Sequence, residues 1–267
     1  MSNISYDPEE ASVTPKPTDG PLYRDRFQTK NDVIQYESKE YAPDSYSSKI
    51  WQLQRPVLME IIRHFRVERG RAPAILDFAC GTGRILSSLE ALAATADGID
   101  VSPVMVEVAR ERCKQSNLIV GDIVTHPHLL QGQYDVITIF RFLLNTEPII
   151  RRWVLLRLRD IIHPGGELIV NVHGNSRSAR HPGIVWRRWR NRHQSKNQML
   201  NELSPDEAEK LLHECGFRVV RRLGFGILPP FIYRTPLRRL AAAVDKALAG
   251  ETWWNLSIDY MYVCQPR

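Results

Sequence analysis

The chain has 267 residues, 43% hydrophobic and 25% charged, with a net charge of +6, which is enough apolar content for a full core in one elaborated domain. No apolar run approaches the roughly 20 residues that span a bilayer, and four scattered cysteines without a Cys-x-x-Cys pair argue against a disulfide framework and a zinc site, so no metal is expected. The opening residues lack a basic-then-apolar leader, which predicts a cytoplasmic protein, and the positive charge leans toward acidic partners without naming one.

Residues 1–20 are polar, with three prolines and several acids, and are expected to form a flexible tail. Over 21–50 the aromatics Tyr23, Phe27, Tyr36, Tyr41 and Tyr46 are interleaved with charges. Two readings stand: a lid whose tyrosines offer rings and hydroxyls to a ligand, or a segment that merely docks on the core. Trp51 to Val67 follows as an amphipathic helix burying Leu53, Val57, Leu58, Ile61, Ile62 and Phe65.

Ala72 to Phe78 then reads as a buried strand that breaks into Ala79-Cys80-Gly81-Thr82-Gly83, and Ile85 to Ala94 as a helix. Gly81 and Gly83 permit a sharp bend and close approach of a ligand, and such a turn aims free N–H groups at it. A dinucleotide fingerprint wants a third glycine where Leu86 stands. Further strands are expected at Ala96 to Val101, Leu118 to Asp122, Tyr134 to Phe140 and Leu168 to Val172, the last after a turn at His163-Pro164-Gly165-Gly166. Asp100 falls nineteen positions after Gly81, and Ser102-Pro103 opens a helix as cap and first-turn residue. A helix over Ile149 to Ile162 precedes the fifth strand.

The segment Asp77-x-Ala79-x-Gly81-x-Gly83, with Asp100, Asp122 and the Tyr134 to Phe140 strand in order, resembles class I S-adenosylmethionine-dependent methyltransferases. Ala79 stands where that family usually has its first glycine. The resemblance implies an α/β fold: a seven-stranded, mostly parallel Rossmann-like sheet with helices on both faces and an antiparallel last strand. It also implies S-adenosylmethionine as cofactor, its methionine end held by Asp77, Ala79, Thr82 and the Gly81 to Gly83 backbone. Asp100 would meet the ribose and Asp122, with Ile123 beside it, the adenine, and Val101 and Phe140 are further expected cofactor contacts.

At the lip after the fourth strand, Phe140 to Asn145 lacks the Asp/Asn-Pro-Pro-aromatic pattern of amino-methyltransferases, and no catechol-type metal cluster assembles. Arg141 and Asn145, with Tyr36, Tyr41 and Tyr46, are the candidate substrate contacts. Arg141 has a structural alternative, pairing with a core carboxylate. His173, at the carboxyl end of the fifth strand, is the candidate general base for a hydroxyl acceptor, against the alternative of a loop cap.

Residues 174–197 form a basic insertion: Arg177, Arg180, Arg187, Arg188, Arg190, Arg192 and Lys196 without one acid, around Trp186 and Trp189. Such a stretch can bind phosphate, stack on bases or lie on an anionic membrane surface, or be a solvated helix with its tryptophans packed inward. The absence of a recognisable RNA- or DNA-binding module favours an anionic group on a small acceptor over nucleic acid. Ser204-Pro205 starts a helix that stops at Gly216, Phe217 to Leu223 is the sixth strand, and Ile258 to Cys264 the last. Between them, 224–250 is expected as a cover: an apolar loop to Pro236, then a basic amphipathic helix read as a packing element or flap rather than a membrane anchor. The expected reaction is methylation of a small molecule, first a hydroxyl of a sugar, quinone or polyketide. A nucleic-acid methyltransferase and a non-enzymatic cofactor-binding protein are the alternatives.

Overall fold

The computed structural model describes residues 27–130, 132–190 and 202–267. The expected tail over 1–20, Tyr23, and Arg192 and Lys196 of the basic stretch lie outside the described residues, as do the side chains of Arg187, Arg188 and Arg190. A seven-stranded sheet runs in the order β3-β2-β1-β4-β5-β7-β6. Its strands are β1 (Ala74–Phe78), β2 (Thr95–Asp100), β3 (Asn117–Val120), β4 (Tyr134–Ile139), β5 (Ile162–Val172), β6 (Phe217–Phe225) and β7 (Asp259–Pro266). β1 to β5 pair in parallel, and β7 enters antiparallel between β5 and β6, as the sequence resemblance implied.

Side chains alternate across the strands and split the core into two layers. Leu76, Ile137, Val170 and Tyr262 face the helices α5 (Pro148–Ile161) and α7 (Pro205–Glu214). Ile75, Val136, Ile169 and Met261 face α2 (Tyr46–Arg69). Strands buried on both sides read as near-continuous apolar runs, which is why they were legible in sequence. Chain order reverses between β2-β1 and β4, and the carboxyl ends of these strands leave the crevice where open α/β sheets receive ligands.

Four elements differ from expectation. α2 begins at Tyr46, five residues before Trp51, because the Ser45 hydroxyl caps the Ser48 amide; Gln54 joins its buried face while Leu53 and Val57 are half-buried. The helix after the glycine turn is only α3 (Leu86–Leu89) and a 3₁₀ turn to Leu92, since the Ala94 amide is drawn to the Pro73 carbonyl at 2.8 Å to begin β2. His163 to Gly166 is not a turn ahead of β5 but an irregularity within it, where a Cβ on Gly166 would meet the Asp135 carbonyl at 2.7 Å. β6 runs on to Phe225, held by pairing with Asp259.

Two helices border the crevice. α1 (Lys30–Glu40) starts in a reciprocal cap between Thr29 and Asp32, and α4 (Pro103–Arg112) starts at Ser102. α6 (His181–Arg190) occupies the basic insertion, and there the inward-packing alternative fails: Trp186 and Trp189 are 56% and 66% exposed. α8 (Arg238–Leu248) forms the helix of the 224–250 cover.

Candidate functional site

The turn after β1 owes its shape to three residues in the left-handed region: Ala79 at φ +54°, Gly81 at +54° and Gly83 at +75°. Alanine there is strained by about 1 kcal/mol. The other two described non-glycine residues with positive φ, Phe27 and Arg141, line the same cleft as Ala79, so backbone strain gathers at this one place. The two glycines do different work. A Cβ on Gly81 would meet nothing within 4 Å, so its backbone faces open space, whereas a Cβ on Gly83 would strike Cys113 Sγ at 2.8 Å and Ala109 Cβ at 3.0 Å. Gly83 therefore serves close packing against α4 and does not line the cleft.

The cleft is an open one above the ends of β1, β2 and β4, with about 720 Å³ of empty space reaching out into solvent. Of the expected cofactor contacts, Asp77, Ala79, Gly81, Thr82, Asp100, Val101 and Phe140 line it. A second hollow of about 350 Å³ adjoins it, sharing Ala79, Asp100 and Val101 and bounded by Asp122, Ile123 and Phe142.

Three groups give the cleft its chemistry. Asp77 Oδ1 accepts the Thr138 hydroxyl at 2.6 Å, while Oδ2 is buried with no hydrogen-bond partner. Burial pushes this carboxyl up to about 7, against the downward pull of Thr138, the Leu86 amide and Arg84. Arg84 lays its guanidinium 4.0 Å over the Tyr41 ring and leaves Nη1 buried and unpartnered. Asp100 accepts the Gly81 amide and the Ser102 amide, each at 2.9 Å. Burial raises its carboxyl too, opposed by those amides. Cys80 is buried and its thiol is pushed well up by burial and then by Asp77 and Asp100, which makes it a poor nucleophile.

The N-terminal segment closes one side. Phe27, Tyr36 and Tyr41 line the cleft. Glu37 receives the Thr82 hydroxyl at 2.5 Å and pairs with Arg112, whose Nη1 also donates to Thr82 Oγ1 at 2.8 Å. The Phe27 carbonyl accepts the Ser102 hydroxyl at 2.5 Å. Arg141 pairs with Glu40 at 3.1 Å and reaches Ser47 at 3.2 Å, with Nε buried and unpartnered. Asn145 lines the cleft beside it.

Two expected site residues are absent from the cleft lining. Tyr46 is not in the cleft lining; its ring packs on Tyr233 with centroids 5.7 Å apart, and its hydroxyl abuts Gly226, where a Cβ would meet it at 2.3 Å. His173 stands at the end of β5 outside the lining set, its Nδ1 buried and unpartnered. Burial, then Arg141 and Arg180, hold its imidazole well below the usual range and therefore neutral. Sequence reasoning missed Arg84, Phe27 and Ser102 in the lining and the Glu37–Arg112 latch. Only the position of Arg84 next to the glycine turn offered a local signal.

Residues 75–166 match a family model described as a methyltransferase domain. A dTDP-4-amino-2,3,4,6-tetradeoxy-D-glucose N,N-dimethyltransferase of Saccharopolyspora spinosa is 31% identical over 42% of this chain and 45% of its own length. A demethylmenaquinone methyltransferase of Thermotoga maritima is 28% identical over 54% of this chain and 70% of its own length. The chain thus spans less than half of two of the curated relatives it matches. Among solved structures, a magnesium protoporphyrin IX methyltransferase from Synechocystis with bound SAH superposes at a TM-score of 0.60 and 14% identity, covering 91% of this chain and 97% of that one. That likeness speaks for the fold. By its matched segment and its sheet topology, the chain is similar to class I S-adenosylmethionine-dependent methyltransferases.

Proposed function

We propose that the protein transfers a methyl group from S-adenosylmethionine to a small-molecule acceptor, in the first place to a hydroxyl. One observation carries the reading: the cleft presents a buried carboxylate oxygen, Asp77 Oδ2, and a buried guanidinium N–H, Arg84 Nη1, and neither has a partner within the protein. An unpaired acid and base in one cleft complement the ammonium and carboxylate of an amino-acid zwitterion, and leaving either unmet is unfavourable. The methionine end of the cofactor is such a zwitterion.

In this assignment Asp77, Arg84 and the Gly81 backbone hold the methionine end. Asp100 keeps lone pairs free for the ribose hydroxyls after receiving its two amides. The adjoining hollow at Asp122 and Ile123 takes the adenine. When bound, the cofactor supplies an activated methyl group on a sulfonium. The chain then aligns the acceptor and excludes water: Tyr36, Tyr41 and Asn145 border the acceptor side, and the free Nε of Arg141 suits an anionic or carbonyl group on it. His173, kept neutral, accepts the hydroxyl proton. The segment 27–50 acts as a lid, and 224–250 covers the acceptor side. Among the relatives, a ubiquinone biosynthesis O-methyltransferase supports a hydroxyl acceptor, whereas the sugar enzyme is an N,N-dimethyltransferase.

The test is isothermal titration with S-adenosylmethionine and S-adenosylhomocysteine, paired with labelled methyl transfer to hydroxylated metabolites. Micromolar binding that Asp77→Asn and Arg84→Ala each weaken is expected. Binding that neither substitution changes would remove the zwitterion assignment, and no binding of either molecule would remove the reading.

A further inference from the structure

The segment from Phe231 to Leu248 carries five charged residues, and the fold sorts them by sign. Its one acid, Asp245, is fully buried: Oδ1 accepts the amides of Ile227 and Leu228 at 2.9 and 3.1 Å, and Oδ2 accepts the Tyr233 hydroxyl. Its four bases, Arg234, Arg238, Arg239 and Lys246, are all exposed. The next acid along the chain, Glu251, is paired with Arg221 at 2.9 Å. Beside the bases stand Phe231, Leu237 and Leu240 at 66%, 60% and 62% exposure. On α8 itself Ala241 and Asp245 face inward with Val244 and Leu248 half-buried, and the opposite side presents Arg239, Ala242, Ala243 and Lys246. The expectation that the arginines here belong to a packing element covers the inner face alone. The outward side of the helix is cationic, large apolar side chains stand exposed on its flank at Leu240 and in the loop leading into it at Phe231 and Leu237, and nothing within the described chain covers them.

We infer that the outer face of the 224–250 cover docks on an anionic phospholipid bilayer. The charge supplies complementarity, because four cations with no exposed acid among them attract an anionic lipid surface. Along the chain Phe231, Leu237 and Leu240 are interleaved with Arg234, Arg238 and Arg239 rather than forming one apolar run. That arrangement fits insertion among headgroups and upper acyl chains better than a protein interface core. The outward alanines keep the helix surface low enough to lie in the interfacial plane. Nucleic acid fits less well, since a stacking platform needs several exposed rings and this face offers Phe231 alone. The docked face adjoins the cleft: Tyr233 packs on Tyr46 and receives Lys49 over its ring at 5.2 Å, both in the first turn of α2, which also brings Ser47 to Arg141. A membrane-dissolved acceptor would therefore meet the lid side of the cleft on leaving the bilayer.

The experiment is flotation of the full chain with phosphatidylcholine vesicles, with and without phosphatidylglycerol. Binding about tenfold or more tighter to the anionic vesicles is expected, weakening with salt. Leu240→Glu and the pair Arg238→Glu with Arg239→Glu should each abolish it, while leaving the thermal midpoint and the cofactor titration unchanged. Unchanged cofactor binding separates this result from failure of the methyltransferase reading. Equal binding to both vesicle types, no binding, or retention of binding in Leu240→Glu would overturn the inference. So would self-association that Leu240→Glu disrupts without any vesicle binding, or binding of single-stranded RNA in place of vesicles.

Discussion

Asp100 fastens the glycine turn to the neighbouring strand: its Oδ2 accepts the Gly81 amide at 2.9 Å, and its other oxygen accepts the Ser102 amide at the head of α4. The carboxylate proposed to hold the ribose thus also shapes the loop that would hold the methionine end. Asp100→Ala leaves two amides without an acceptor, at about 1.5–3 kcal/mol for each charge-assisted bond. We expect a lowered urea midpoint with the sheet retained, and cofactor affinity about a hundredfold weaker. An unchanged dissociation constant by titration would remove Asp100 from the cofactor site.

The Asp77 carboxyl, raised by burial to about 7, ties stability and binding to pH in opposite directions. Unfolded, the same group titrates near 3.9. Between those values the native state holds a proton that the unfolded state has lost, so the stability contribution is full below about 4 and falls as pH rises through about 7. Asp259, also raised by burial to about 7, adds to this slope. Urea denaturation should therefore show a protein more stable at about pH 5 than at about pH 8, with a shallower slope in Asp77→Asn. Cofactor binding should tighten over the same range, by up to about tenfold per pH unit below 7, because an ammonium group needs the carboxylate. A pH-independent dissociation constant would contradict the pairing of Asp77 with a cation.

Ala79 sits at φ +54° in a turn where glycine would be relaxed. Ala79→Gly relieves left-handed strain but gives the unfolded chain more freedom, and the balance should favour the variant by about 0.5 kcal/mol. Thermal denaturation checks this. A variant less stable than the parent would mean that the alanine methyl contributes packing worth more than the strain.

For His173, held neutral by burial and by two arginines, the expected outcome of His173→Ala is a fall in kcat of about 10²–10⁴ with KM and cofactor affinity nearly unchanged. Loss of the acidic limb of the rate profile should accompany it. Equal losses in kcat and cofactor binding would instead mark His173 as a support for Arg141.

The succession of strands along the chain and the acids at strand tips were readable because their signals are local, whereas the arrangement of the sheet came from the family resemblance. Ile75 and Leu76 lead into Asp77 and the bend, Ile99 stands directly before Asp100, and Leu118 to Val120 run up to Gly121 and Asp122. The start of α2 was misjudged because its cap, Ser45, lies ahead of the first strongly periodic residue. The glycines after His163 looked like a loop because composition cannot report that Gly166 faces the Asp135 carbonyl inside a strand pair. Tyr46 was plausible as a ligand contact by residue type, yet a bare backbone at Gly226 draws its hydroxyl away from the cleft lining.

The amino-acid order alone specified alternating strands and helices with a glycine turn after the first sheet strand, since hydrophobic period, glycine and capping residues act within a few positions, and the family resemblance supplied the sheet they build. The site's polarity arose from pairings across long spans of chain: Glu37 with Arg112, 75 residues apart, and Gln54 with Asp259, 205 apart. Folding satisfied those groups and left Asp77 Oδ2 and Arg84 Nη1 without partners. Which polar atoms remain unmet depends on every neighbour the fold brings near, and no local pattern carries that information.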